Sequence, residues 1–224
     1  AERYSFSEAE DYFEKSEDWL TQAERVFGKQ VTEPIRLWEA KNELGSLYCD
    51  WAFLAMSRND SEREHDCYRK SEQHQRDALA IARQHGLAFQ EADSRDDLAQ
   101  VLADQGRFRE AEEEIAYIER ELIPDSYKLK DGAGVDQELE GGETALLSLG
   151  KIYLQRGIWA FQAAKDSQTL AEAREAKLRE GVRHFALSAA YLQQFWLASD
   201  SLRKTLRSFS RRLAEFRVPA YLAR

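Results

Sequence analysis

The chain has 224 residues, of which 43% are hydrophobic and 33% are charged, and its formal net charge at pH 7 is -9. This length allows one or two domains with a sizeable core, and the aromatic content of 11% excludes a disordered polar chain. The longest apolar stretch, Trp51 to Met56, is far too short to span a membrane, and two cysteines cannot form a disulfide framework. We therefore expect a cytoplasmic protein without a membrane span.

Apolar residues recur with a helical period along nearly the whole chain, whereas the alternating runs typical of strands are almost absent. The spacing predicts helices at about 7–27, 33–58, 61–85, 89–105, 108–122, 142–168, 171–196 and 199–216. Local signals support these bounds: Pro34 lies in a first turn, Ser61 and Glu64 have capping-box spacing, and Gly86 follows a helix end. The expected fold class is all-α, with about seven or eight helices in antiparallel pairs.

Short segments of similar sequence recur in these predicted helices. Leu44, Gly45 and Tyr48 have the same spacing as Leu149, Gly150 and Tyr153, and Leu98-Ala99 begins a related segment. Other helices carry a small residue, then an aromatic or aliphatic residue four positions on, then a third residue three further on. These are Ala9, Phe13 and Ser16; Ala111, Ile115 and Ile118; and Gly181, Phe185 and Ser188. Small residues allow close helix contact and large ones fill the adjacent gaps, so the pattern indicates helix-pair repeats.

The combined pattern resembles the tetratricopeptide repeat (TPR) family. The match is best from Leu98 to Pro124, whereas Ser71, Gln75 and Ala78 give a weaker second helix that lacks the aromatic residue. Insertions of roughly a dozen to twenty residues predict long helices or extended turns that the family repeat lacks. The resemblance implies a divergent TPR-like α-solenoid that forms one domain over residues 1–224. The first helix matches the second helix of a repeat and has no predicted partner before it, so we expect a fragment of a longer protein.

In the TPR family, the first helices of successive pairs line a groove that holds a peptide or a partner helix. The resemblance places seven side chains in this groove: Glu39, Asn42, Ser46, Asp93, Asp96, Gln100 and Lys151. With Thr144, Leu147 and Leu154, which the resemblance adds beside Lys151, half of the groove is acidic and polar and half is apolar, and its charges favour a basic or amphipathic protein partner. The alternative is that these side chains are only solvated or are covered by the chain's own helices.

Two further segments are candidate binding surfaces. The glycine-containing stretch 125–142 is too long for a simple turn, and it holds a possible binding lip of Tyr127, Lys128 and Lys130. The predicted terminal helix has an apolar seam opposite basic residues, namely Arg203, Lys204, Arg207, Arg211 and Arg212. Docking of this helix on the last repeat is favoured over contact with a partner. Nucleic acid is the least favoured partner because the rest of the chain is acidic.

The sequence carries no phosphate-binding glycine loop, no nucleophile elbow and no His-Glu-x-x-His or Cys-x-x-Cys motif. Cys67 and His74 share one helix face and could in principle hold a metal, but a buried cysteine and solvated histidines are favoured. We expect no catalytic residue, no cofactor and no metal. The expected function is a non-catalytic protein-binding module, serving as the sensor part of a larger protein such as a signal-transducing NTPase. The alternatives are a stand-alone scaffold, or an enzyme or nucleic-acid binder that uses the 125–142 loop or the basic helix.

Overall fold

The computed structural model describes residues 6–29, 33–124, 143–165 and 171–198. Every element in these ranges is helical, which confirms the all-α fold class. The α-helices are α1 (Phe6–Phe27), α2 (Pro34–Ser57), α3 (Ser61–Gln84), α4 (Ala88–Asp104), α5 (Phe108–Tyr117), α6 (Glu143–Lys165) and α7 (Ala171–Ala198), and a π-helical turn (Ile118–Leu122) continues α5. The first seven predicted helices are correct within three residues. The predicted helix at 199–216 and the stretch 125–142 lie outside the described residues.

Local chemistry accounts for several helix ends. Asp60, not Ser61, caps α3, because its carboxylate accepts a hydrogen bond from the backbone N–H of Arg63 at 3.2 Å. Gly86 and Gly106 follow the ends of α3 and α4 with φ angles of 65° and 77°, a conformation in which glycine has no steric penalty. These tight ends keep the connections to the following helices short.

The chain divides after Pro124 into two compact units, which we describe separately. In the first unit, α1 to α5 pack as successive antiparallel neighbours. For example, Lys41 of α2 forms ion pairs of 2.9 Å with Glu24 of α1 and with Asp77 of α3. Between α4 and α5, the buried guanidinium of Arg95 pairs with Glu114 and also stacks 3.7 Å from the centre of the Tyr117 ring. That the two units form one continuous domain stays a prediction.

An aromatic ladder, formed by Phe13, Trp51, Tyr48 and His74, crosses the first three helices. The ring centres of successive members are 5.5, 6.1 and 5.6 Å apart, and the ring planes are within 11° of parallel. The Tyr48 hydroxyl donates a hydrogen bond to Glu17 of α1. Stacked rings and a buried hydrogen bond together hold α1 against the α2–α3 pair.

In the second unit, α6 and α7 form an antiparallel hairpin with two reciprocal close approaches. Phe185 of α7 lies over Gly157 of α6, where a methyl group would stand 2.7 Å from the ring. Phe161 of α6 in turn lies over Gly181 of α7, where a methyl group would stand 2.5 Å from Phe161 Cε2. Each glycine thus forms a notch for a phenylalanine of the opposite helix, and the two rings are 5.4 Å apart.

The α2–α3 and α6–α7 hairpins share one packing scheme. Ser71 Oγ donates to the carbonyl of Gly45 at 2.7 Å, and Ser188 Oγ donates to the carbonyl of Gly150 at 2.8 Å. Four residues after each serine, Gln75 covers Gly45 and Leu192 covers Gly150. The sequence contains the same Leu-Gly-x-x-Tyr segment in both first helices, so matching residues make matching contacts.

This correspondence corrects the predicted register of α3. The sequence pattern aligns Ser71, Gln75 and Ala78 with Gly181, Phe185 and Ser188, but the hydrogen bonds show that Ser71 corresponds to Ser188. The residue three positions before Ser71 is Tyr68, which is buried in the same core cluster as Ala52. Tyr68 is therefore the aromatic residue at the position that the predicted register left without one. The insertion expected in this repeat is accommodated by long helices of 24 residues each.

Candidate partner-binding face

Helices α2 and α4 lie side by side and run in the same direction, joined by a buried polar chain. The indole Nε1 of Trp38 donates to Ser94 Oγ at 2.8 Å, and Asn42 Nδ2 donates to Asp97 Oδ2 at 3.0 Å. Ser94 Oγ in turn donates to Asn42 Oδ1 at 3.4 Å. Because buried polar groups are costly without partners, these bonds fix the relative position of the two helices.

Carboxylates gather beside this polar chain and form what we call the acidic face: Glu39, Glu43, Asp93 and Asp97. Desolvation raises the pKa of Glu43, and the charges of Asp93 and then Glu39 raise it further. Carboxylate repulsion is the smaller part of this shift, after desolvation, and a cation placed among the carboxylates would relieve it. Glu39 also accepts a bond from Arg36 at 2.9 Å, an exposed pair that adds little stability.

Two of the predicted groove residues are not available on this face. Asn42 is 6% exposed and Asp96 is 9% exposed, and the amide of Asn42 is engaged in helix packing. Asn42 is buried because it lies on the flank of α2 that meets α4, and its polar links there explain why this position carries a polar residue. The expected contact of these two residues with a partner stays a prediction.

The other predicted groove residues have different surroundings. Ser46 is half-buried, and its hydroxyl donates to the backbone carbonyl of Asn42 in the same helix at 3.2 Å. The side-chain amide of Gln100 donates to Asp104 at 2.8 Å. Glu39 and Asp93 belong to the acidic face. Lys151 is half-buried on α6, in the second unit, so its membership of the same groove stays a prediction.

Sequence reasoning missed two groups. Glu43 lies one helical turn after Glu39, and that spacing could have placed it on the same face. Asp104 lies at the end of α4, where burial raises its pKa to about 6 although Gln100 and the Cys49 thiol donate to it. No sequence pattern indicated this burial, which depends on how α2 and α4 meet.

Cys67 and His74, considered as metal ligands from their spacing, belong to the packing of the first unit. Cys67 is 4% exposed, as expected for a buried residue. His74 is not a solvated side chain, since its ring stacks on Tyr48 and burial lowers its pKa. Within the part of the chain that the structure describes, no group of three or more His, Cys, Asp or Glu side chains could hold a metal ion.

The remaining predicted binding residues lie outside the described residues. They are the loop lip of Tyr127, Lys128 and Lys130, and the basic segment of Arg203, Lys204, Arg207, Arg211 and Arg212. Among the described helices, none combines the length and the apolar character needed to cross a bilayer. Comparisons of the chain with protein-family models, with curated proteins and with solved structures found no match.

Proposed function

We propose that this chain is a non-catalytic TPR-like module that binds a basic protein segment on its acidic face. The observation that carries the proposal is the convergence of Glu39, Glu43 and Asp93 from two helices. A partner lysine or arginine near Glu43 would replace carboxylate repulsion with attraction and would lower the pKa of Glu43.

The helix arrangement supports a repeat-type module. The first helices of two successive pairs, α2 and α4, run side by side in the same direction. The second helix of the first pair, α3, also contacts the next pair, for example through the ion pair of Glu72 with Arg107 at 2.7 Å. In helical repeat proteins, successive first helices present a continuous surface for a partner. In a larger protein, such a surface would act as a sensor whose occupancy is read by other domains.

Direct binding of a defined probe tests this function. The probe is a fluorescently labelled helical peptide of lysine and leucine, and the control probe carries glutamate in place of lysine. We expect binding of the basic probe alone, with an affinity that falls as salt is added, because each exposed ion pair contributes only about 0–1 kcal/mol and is screened.

A variant with Glu43→Gln and Asp93→Asn should bind the basic probe several-fold more weakly. The matched control removes the same two charges from α5 with Glu112→Gln and Glu113→Gln, and it should bind like the wild type. Equal weakening by both variants would mean that overall charge, not the acidic face, governs binding. Absence of binding by the wild type would contradict the proposal.

A further inference from the structure

Helix α1 carries an apolar stripe on the flank that borders its contact with α2. Three large side chains recur at intervals of seven residues, with exposed fractions of 61% for Tyr12, 71% for Trp19 and 52% for Val26. Three small, half-buried residues, Ala9, Ser16 and Ala23, alternate with them at the same interval. The six positions are three or four residues apart, so they form one continuous line along the helix.

The adjoining side of α1 already has its partners. Phe13 and Leu20 pack on the core of the first unit, and Glu17 and Glu24 bond to α2. The large side chains of the stripe, Tyr12, Trp19 and Val26, extend beyond this contact and stay exposed. At its N-terminal end it borders an open apolar pocket of about 390 Å³, lined by Ala9, Tyr12, Phe13, Ser16 and Leu47.

The order of small and large residues makes the stripe complementary to itself. In an antiparallel helix pair, each step up one helix is a step down the other. With Ser16 of one copy opposite Trp19 of the other, Tyr12 meets Ala23 and Ala9 meets Val26. Every level of the contact then joins one small and one large residue, as close packing requires. A parallel pair would instead stack Trp19 on Trp19 and leave gaps between the small residues.

We propose that the stripe on α1 is a dimer interface, which binds the same stripe of a second copy in an antiparallel, two-fold symmetric pair. A symmetric dimer uses one surface on both copies, and such a surface must complement itself in this way. Charge agrees with the orientation, because Glu8 of one copy lies opposite Phe27 of the other, two residues before the exposed Lys29. The open pocket lies where Trp19 and Val26 of the second copy arrive, and these side chains would cover it.

The first experiment measures the mass of the full 224-residue chain by analytical ultracentrifugation over a range of micromolar concentrations. We expect twice the 25.9 kDa of one chain. Trp19→Glu should weaken dimerisation at least about tenfold, because a buried tryptophan is a dominant contact and a buried carboxylate is costly. Phe89→Glu, at a position 41% exposed on α4, is the control and should leave the dimer unchanged.

The second experiment determines orientation by disulfide cross-linking and does not depend on weakening the interface. Ala9→Cys combined with Val26→Cys should give a covalent dimer on oxidation, whereas Ala9→Cys alone should not. The two positions are roughly 25 Å apart along one helix, so they cannot link within a chain. The native Cys49 and Cys67 are buried and do not compete.

Three results would each overturn the proposal. A wild-type chain that remains monomeric at all concentrations would show that a second copy does not cover the stripe. A dimer that tolerates Trp19→Glu would place the interface elsewhere. Cross-linking of the single Ala9→Cys variant would indicate a parallel pair.

Discussion

Replacing Gly181 with alanine tests the notches that join α6 and α7. The added methyl group would stand 2.5 Å from Phe161 Cε2, whereas carbon atoms at optimal separation are about 3.5–4.0 Å apart. Phe185, one turn after Gly181 on α7, has its ring centre 5.4 Å from that of Phe161 and restricts how far the Phe161 ring can turn. The helices must therefore separate slightly or the ring must leave its preferred rotamer.

Two opposing effects determine the size of the change. Overpacking of a core typically costs about 1–3 kcal/mol. Alanine is a better helix former than glycine by about 1 kcal/mol, which offsets part of that cost. We expect Gly181→Ala to destabilise the second unit by up to about 2 kcal/mol, measured as the free energy of unfolding in urea by far-ultraviolet circular dichroism.

Ala186→Gly, at an exposed position of α7, calibrates the helix-propensity effect and should cost about 1 kcal/mol. Phe161→Leu provides a second check, because removing the ring atoms should cost less in the Gly181→Ala background than in the wild type. If Gly181→Ala instead raised stability by the full propensity difference, the notch would not be tight and the reasoning would be refuted.

Three further changes test other contacts by the same unfolding measurement. Ser188→Ala removes the hydroxyl that donates to the Gly150 carbonyl and should cost about 0.5–1.5 kcal/mol; no loss would show that this bond is dispensable. Arg95→Met leaves the Glu114 carboxylate without its buried cation and should cost roughly 3 kcal/mol, whereas a neutral result would mean that water solvates this carboxylate. Because the pKa of Asp104 is raised from 3.8 to about 6 in the folded state, its contribution to stability is fully present below pH 3.8 and is lost as pH rises through 6. Asp104→Asn should therefore be more stable than the wild type at pH 7.5, by up to about 3 kcal/mol, and this advantage should disappear near pH 4; a difference that does not change with pH would contradict the shift.

Helix positions were predictable from the sequence because apolar period, prolines and glycines are local signals. The serine of the α2–α3 hairpin was recognised as a packing residue, but its register was not. Tyr68 and Gln75 both lie on the buried side of α3, and spacing alone does not say which of them aligns with Phe185. The hydrogen bond from Ser71 to Gly45 decides the alignment, and such a bond is visible only in three dimensions.

The acidic face was predictable only in part. Glu39 and Asp93 were identified as first-helix positions, and the structure places both near Glu43. Asn42 and Asp96 are buried, and for Asn42 this burial depends on the angle and distance between α2 and α4. A family pattern assigns residues to a helix face, but it does not say how much of that face its neighbour covers.

The aromatic ladder gives the first unit an optical probe of its own. Trp51 lies between Phe13 of α1 and Tyr48 of its own helix, with ring centres 5.5 and 6.1 Å away. A fixed, asymmetric stack of this kind produces a near-ultraviolet circular dichroism signal, which is lost when side-chain packing becomes mobile. Detachment of α1 would remove one ring from the stack while the helices remain intact. The near-ultraviolet band would then change without a change in the far-ultraviolet, and release of α1 could be followed in the unlabelled protein.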